Sequence, residues 1–455
     1  MSDHARFRYK TFNELVSALE KHGLSFPLST DFDALREPIT IGDATAPNRL
    51  ATQPMEGCDG TAAGRPGELT SRRYRRFAEG GAGVLWFEAT AVAPEARANP
   101  RQLLLTEDTT GAIKRLFDDS VAVAVNQNGS EARPYTVLQL THSGRYSRPE
   151  SQPAPIIATE NPYLRLKSPE NKRIISDEDL EELEERYTDA AAMACEIGFD
   201  AVDIKSCHRY LVAELISART RNGRYGGTFE NRTRFLLNII DRISSRTSGG
   251  INIAVRLNVY DAIPLPYGWG VDKDDHRQYD LDEPIRLVKL LVERGVKLIN
   301  VTAGNPYFNP HVNRPFDTGP YVPPEHPLEG VCRMLAMART IRDAAGGAAV
   351  MASGFSWLRE FGSHAAAGGI RDGWFELAGF GRQAFAYPDF ARDILYGEAM
   401  ARKKCCITCG KCSEIMRFDG MTGCVIRDAE VYGPIYKQAS KGKRSLVGRH
   451  IAEHV

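Results

Sequence analysis

Eight short β-rich apolar runs, separated by longer amphipathic stretches between about residues 50 and 400, limit the fold more tightly than any other feature of the chain. The runs fall at 49–53, 83–89 (GVLWFEA), 135–141 (YTVLQLT), 199–205 (FDAVDIK), 253–259 (IAVRLNV), 296–302 (VKLINVT), 348–353 (AAVMAS) and 375–379 (FELAG). Helix-like segments lie at 176–198, 230–245, 281–294, 329–345, 357–367 and 387–400. Ser176, with Glu178 and Asp179 behind it, reads as an N-cap with acid in the first turn, where the helix dipole favours negative charge. Strands alternating with helices imply a parallel sheet, and a count of eight favours a closed barrel over a doubly wound sheet. The expected fold is therefore α/β, a (β/α)8 TIM barrel over residues 49–400.

Two regions lie outside the repeat. Residues 1–48 form a leader with a short hairpin at 38–48 that is expected to plug the barrel bottom. Residues 401–455 form a cysteine-rich segment and tail. The 455 residues suit one large barrel plus such additions. Lys+Arg and Asp+Glu both number 58, so the chain lacks the basic footprint of a nucleic-acid or acidic-membrane binder. No apolar run approaches the roughly 20 residues that cross a bilayer. The polar start carries no secretory signal, so a cytoplasmic place is expected.

Barrel enzymes work at the C-terminal ends of their strands, and those positions here are rich in chemistry. Strand one ends in Pro54 and Met55, and strand three carries Gln139. Strand four leads into Lys205-Ser206-Cys207-His208-Arg209-Tyr210, and strand five carries Arg256. Strands seven and eight end in Ser353-Gly354 and Gly379-Phe380-Gly381-Arg382. The two glycine-bearing turns can present backbone N–H groups to a phosphate. Residues 379–384 also match a G-x-G-x-x-A dinucleotide fingerprint. A true fingerprint opens a βαβ unit, whereas this one closes the repeat. Taken singly, Gln139 or Arg256 reads as barrel packing or a surface arginine; inward polar residues at strand ends need partners, and the joint pattern points to a bound group.

The ordered pieces NRLATQPM, QLTHSGR, GFDAVDIKSCHRYL, YGGTFENRTRF, AVRLNVYD and GFGR, followed by a cysteine cluster, span about residues 40–430. In this order they resemble the old yellow enzyme family, in particular its long iron–sulfur branch of 2,4-dienoyl-CoA reductase and trimethylamine dehydrogenase type. The resemblance implies FMN at the barrel mouth. Pro54, Met55 and Ala89 would line its ring, Gln139 would meet the pyrimidine edge, and Arg256 would stabilise the anionic reduced flavin. Ser353, Gly354, Gly381 and Arg382 would hold the phosphate. On the substrate side, Tyr210 is the implied proton donor beside His208. Lys205 stands where the family commonly has a histidine, which points to an unusual substrate; a lysine there can bind a carboxylate or carbonyl oxygen. A packed core tyrosine is the bland reading of Tyr210. Where dienoyl-CoA reductases use a histidine after strand six, this chain has Tyr307, with His311 four residues on.

Of nine cysteines, Cys405, Cys406, Cys409, Cys412 and Cys424 crowd together. The spacing Cys406-x2-Cys409-x2-Cys412-x11-Cys424 suits a [4Fe-4S] cluster, with Cys405 an alternative first ligand and a four-cysteine zinc site the competing reading. The long relatives continue into pyridine-nucleotide domains, and this chain stops soon after Cys424. A separate electron-transfer protein or reductase subunit is therefore the expected partner, with NAD(P)H a possible diffusible donor and oligomerisation left open. Three functions follow: an ene-reductase acting on a small molecule, an amine dehydrogenase or demethylase using an aromatic cage (Tyr307, Phe308, Tyr267, Trp269), and an electron-transfer subunit without its own substrate.

Overall fold

A computed structural model describes residues 4–443 apart from 167 and 398, together with 445 and 450–451. The last stretch of the basic tail, residues 446–449 and 452–455, lies outside the described residues.

Eight parallel strands close into a barrel in sequential order. They are β1 (Leu50–Thr52), β2 (Val84–Ala91), β3 (Tyr135–Thr141), β4 (Ala201–Ile204), β5 (Asn252–Asn258), β6 (Leu298–Thr302), β7 (Ala349–Ala352) and β8 (Leu377–Phe380). Each falls on one of the apolar runs, and β8 pairs with β1 to complete the ring, Gly379 opposite Ala51. The runs are apolar throughout because both faces of a barrel strand are covered, one by the interior and one by helices. The 3.6-residue pattern places the helices outside. Asp177–Ile197 starts where Ser176 Oγ accepts the backbone N–H of Asp179 at 3.0 Å and ends at Gly198 with φ 108°. Helices Glu68–Glu79 and Glu107–Asn128 fill the outer layer after β1 and β2. The first buries Thr70, Arg73, Tyr74, Phe77 and Ala78 at helical spacing, but its inward face is partly polar, with Arg73 held by Asp59 and Glu88 at 2.8 and 2.7 Å. The expected helix at 357–367 is split: a 3-10 stretch, Phe355–Phe361, kinked at Arg359 (φ 52°), runs into helix Gly362–Arg371.

The leader hairpin pairs Ile39–Ile41 with Ala44–Ala46. Its Ile41 and Ala46 join Trp86, Tyr135 and Leu377 in a core at the strands' N-terminal ends. The turn needs Gly42: φ is +65°, and a Cβ there would sit 1.9 Å from Asn252 Oδ1. At the opposite end the cysteine-rich segment folds back over the mouth. Thr422 N donates to Gly57 O at 2.6 Å, Arg72 pairs with Asp428 at 2.7 Å, and Arg148 with Asp419 at 2.6 Å. Among the described residues no helix is long and apolar enough to cross a membrane.

Candidate active site at the barrel mouth

One cavity of about 1180 Å³, its open mouth included, occupies the C-terminal end of the barrel. Pro54, Met55, Ala89, Gln139 and Arg256 line it, as do Ser353, Gly354, Gly381 and Arg382, and Lys205, His208 and Tyr210. The structure thus brings the flavin-side residues singled out in the sequence together with Lys205, His208, Tyr210 and Tyr307. Cys207, by contrast, is fully buried outside the cavity wall.

At one end of the cavity, Asp203 on β4 organises its neighbours. Its Oδ2 accepts from Gln139 Nε2 at 2.6 Å and Trp86 Nε1 at 3.0 Å, and its Oδ1 accepts the backbone N–H of Arg256 at 2.6 Å. Burial pushes this carboxyl up to about 6, against the pull of those donors. Gln139 and Asp203 meet because β3 and β4 pair in register at these two residues. Beneath them Gln53 and Asn300 exchange amide hydrogen bonds at 3.1 and 2.8 Å, and Gly379 leaves the room: a Cβ there would lie 2.2 Å from Gln53 Nε2. Arg256 Nε is buried without a partner.

At the other end lie Ser353, Gly354 in the left-handed region (φ +106°), Gly381 and Arg382, and Arg382 shares a smaller cleft with Arg314 and Arg417, which also line the cavity. Arg382 donates to Pro315 O at 2.9 Å and Arg417 to Pro306 O at 3.0 Å. Burial and the neighbouring Arg382 lower Arg314 to about 10. This donor set fits FMN. One end offers an amide and an arginine with an unused N–H. The other offers guanidinium groups without carboxylate partners, for which a phosphate dianion is the complement.

The facing wall carries Lys205, 5% exposed, with its Nζ 3.6 Å from the centre of the Tyr210 ring. Among the described residues the ammonium makes no ion pair. Burial lowers its pKa, opposed by Cys207 and by Glu56. Tyr210 OH lies 3.2 Å from Tyr307 OH. Burial raises both phenols above their ordinary value, so both keep their protons at neutral pH. Tyr210 is 2% exposed and Tyr307 38%, so the pair runs from the buried wall outward. Glu56 sits nearby, its Oε1 accepting from Asn99 Nδ2 at 2.6 Å, and burial raises its pKa. His208 Nε2 accepts from Asn313 Nδ2 at 3.2 Å, and burial drives its pKa well down, so the ring is neutral. His311 turns away from the cavity: its Nδ1 lies 2.6 Å from Tyr321 OH. Of the aromatic cage candidates only Tyr307 lines the cavity. Trp269 is buried against Asn258 O, and Phe308 and Tyr267 lie off the wall.

Cys406, Cys409, Cys412 and Cys424 ring a second, smaller cavity of about 370 Å³ beside Arg382, and Cys412 borders both. Backbone N–H groups of Thr408 and Arg427 donate to the sulfurs of Cys406 and Cys424 at 3.4 and 3.2 Å. Cys405 lies apart, fully buried, its Sγ donating to Ala401 O at 3.5 Å. Among the described residues no three His, Cys, Asp or Glu side chains are grouped to hold a single metal ion.

A parallel barrel with such a mouth defines a flavin-dependent oxidoreductase. The NADH:flavin oxidoreductase / NADH oxidase family matches residues 34–286. An NADPH dehydrogenase of Bacillus subtilis (strain 168) is 30% identical over 276 residues, covering 59% of this chain and 72% of the relative. The fold is similar to that of a 2-naphthoyl-CoA reductase (TM-score 0.70, 20% identity, 87% of this chain and 57% of the other). It is also similar to histamine dehydrogenase from Rhizobium sp. 4-9 (TM-score 0.65, 20% identity, 87% of this chain and 52% of the other). The chain thus spans just over half the length of these two structures. It belongs to the NADH:flavin oxidoreductase / NADH oxidase family and is an FMN-dependent oxidoreductase.

Sequence reasoning missed several residues that the fold delivers to the mouth. Asp203 was visible as an acid inside an apolar strand. Glu56 follows Pro54-Met55 directly. Tyr146, its ring 4.1 Å from that of Tyr307, comes from a loop, as does Arg314, and Arg417 from the cysteine segment, and their positions depend on chain folding that no local pattern encodes.

Proposed function

We propose that the protein reduces an activated C=C bond of a small enone, enoate or dienoyl substrate. The observation that carries this reading is the Tyr210–Tyr307 pair beneath the unpartnered Lys205 ammonium. FMN, when bound, supplies hydride from its N5. Tyr210, neutral and in the wall, delivers the proton to the other carbon, and Tyr307, at the exposed end, returns one to Tyr210. Lys205 holds the substrate's carbonyl or carboxylate oxygen, drawing electron density from the double bond. Arg256 offers fixed positive charge to the reduced flavin, and His208, as a neutral acceptor, orients rather than donates. The NADPH dehydrogenase relative supports a nicotinamide as the diffusible donor.

The proposal includes a [4Fe-4S] cluster on Cys406, Cys409, Cys412 and Cys424. It is supported by four thiols around one cavity and by backbone N–H groups aimed at sulfur, which stabilise thiolate ligands. A lone zinc would need the sulfurs about 2.3 Å from one point, closer than these are grouped. Such a cluster would supply one-electron transfer, and a separate electron-transfer protein would be its outlet in the cytoplasm. A second reading, an amine dehydrogenase, draws on Glu56, whose carboxylate can face an ammonium group. Against it, Lys205 already covers the Tyr210 face where a cation would stack.

Anaerobic purification followed by absorbance and low-temperature EPR tests all parts together. Reduced flavin reoxidised by an enone or enoate is expected. Flavin bleached by a methylated amine would favour the second reading, and a protein without an EPR signal on reduction would remove the cluster. Cys406→Ser should abolish that signal and Cys405→Ser should leave it.

A further inference from the structure

We infer that Arg314 and Arg417, with Ser413, clamp the flavin phosphate from the side of the cysteine-rich segment, completing a site that the barrel strands build only in part. The inference rests on the FMN reading and adds residues to it. Four buried arginines elsewhere in this protein meet acids, Arg73 with Asp59 and Glu88, Arg145 with Glu214, Arg209 with Asp261, and Arg232 with Glu283, and buried Arg97 spreads its donors over four backbone carbonyls. Arg382, buried, and Arg314 and Arg417, half-buried, have neither an acid nor a full set of carbonyls. All three line the flavin cavity and share a smaller cleft beside it, and among the described residues none lies within ion-pair distance of a carboxylate. Glu414, on the same helix as Arg417, accepts from Tyr436 OH at 2.6 Å instead.

Each guanidinium carries five N–H donors, and few are used. Arg314 gives one to Ser413 Oγ at 2.8 Å and a longer one, 3.4 Å, to Asn313 Oδ1. Arg417 and Arg382 each give one to a backbone carbonyl. Three like charges around one cleft repel one another, and a phosphate dianion removes most of that cost while accepting the remaining donors. Arg314 arrives from the loop after β6, Arg382 from the end of β8, and Arg417 from helix Lys411–Arg417. That helix also carries Cys412, so the segment bearing the cysteines forms one wall of the phosphate site.

The test compares FMN with riboflavin, which lacks the phosphate, on the flavin-stripped full chain by fluorescence titration. Arg417→Ala and Arg314→Ala should each weaken FMN about 10- to 100-fold, the range for a lost charged hydrogen bond, and leave riboflavin affinity unchanged. Arg417→Lys, which keeps a point charge without the fork, should recover part of the loss. Riboflavin binding also serves as the check that each variant is folded. Equal losses for both flavins, or no loss for FMN, would overturn the clamp while leaving the FMN reading intact. A wild-type chain that binds neither flavin would overturn both.

Discussion

The two ends of the flavin cavity are built on opposite principles. At the Gln139 end the buried acid is answered from within: Asp203 takes donors from Gln139, Trp86 and the Arg256 backbone, all on the adjacent strands β2 to β5, and Arg256 Nε is left to a ligand. At the Arg382 end, three cations from distant parts of the chain meet without an acid. The first end is rigid before any ligand arrives, because its network is closed. The second is electrostatically incomplete, and a ligand's charge finishes it. A site can thus fix orientation at one end and draw affinity from the other.

The largest effect expected concerns the wall that faces both ends. Tyr210→Phe should slow reoxidation of reduced flavin by an enone about 10²- to 10⁴-fold, the usual worth of a positioned proton donor. Stopped-flow reduction by NADPH should be unchanged. Equal slowing of both half-reactions would remove the donor role. Next, Asp203→Asn replaces an acceptor oxygen with an amide that faces donors, and should weaken FMN and riboflavin in parallel, about 10-fold or more. Parallel losses here, set against phosphate-selective losses at Arg417, would confirm the contrast between the ends. A loss confined to FMN would break it.

A smaller effect lies outside both ends. Burial holds His311 down at about 4, below its unfolded value near 6.5. Between those values the unfolded chain binds a proton that the folded one refuses, so stability falls as the pH falls. The loss is about 1.4 kcal/mol per pH unit, or about 3 kcal/mol across the window. His311→Asn should lack this slope. Urea midpoints of both proteins at pH 6.5 and pH 4.5 measure the difference.

The barrel was legible because its signal is repeated eight times, and each apolar run became a strand with ends shifted by a residue or two. The flavin-side residues were legible because strand C-termini converge by topology: Gln139, Arg256 and Arg382 need only the fold to meet. What stayed hidden came from loops. Arg417 reaches the cavity because Thr422 and Asp428 dock the cysteine segment on the mouth, contacts between residues hundreds of positions apart. His311 looked promising four residues from Tyr307, yet the short helix Pro310–Asn313 turns it toward Tyr321. The polar helix Glu68–Glu79 was missed because an inward arginine, satisfied by buried acids, reads as a surface residue.

Ile41, Ala46 and Trp86 form a packed stopper at the strands' starting ends. Among the described residues it leaves the upper rim as the way in and out. If the proposed nicotinamide and alkene both use that rim, each would vacate before the next enters. Steady-state rates measured at several fixed donor concentrations should plot as parallel reciprocal lines, as for any ping-pong enzyme. Electrons leaving sideways through the cysteine segment would need no such queue, because that route bypasses the doorway.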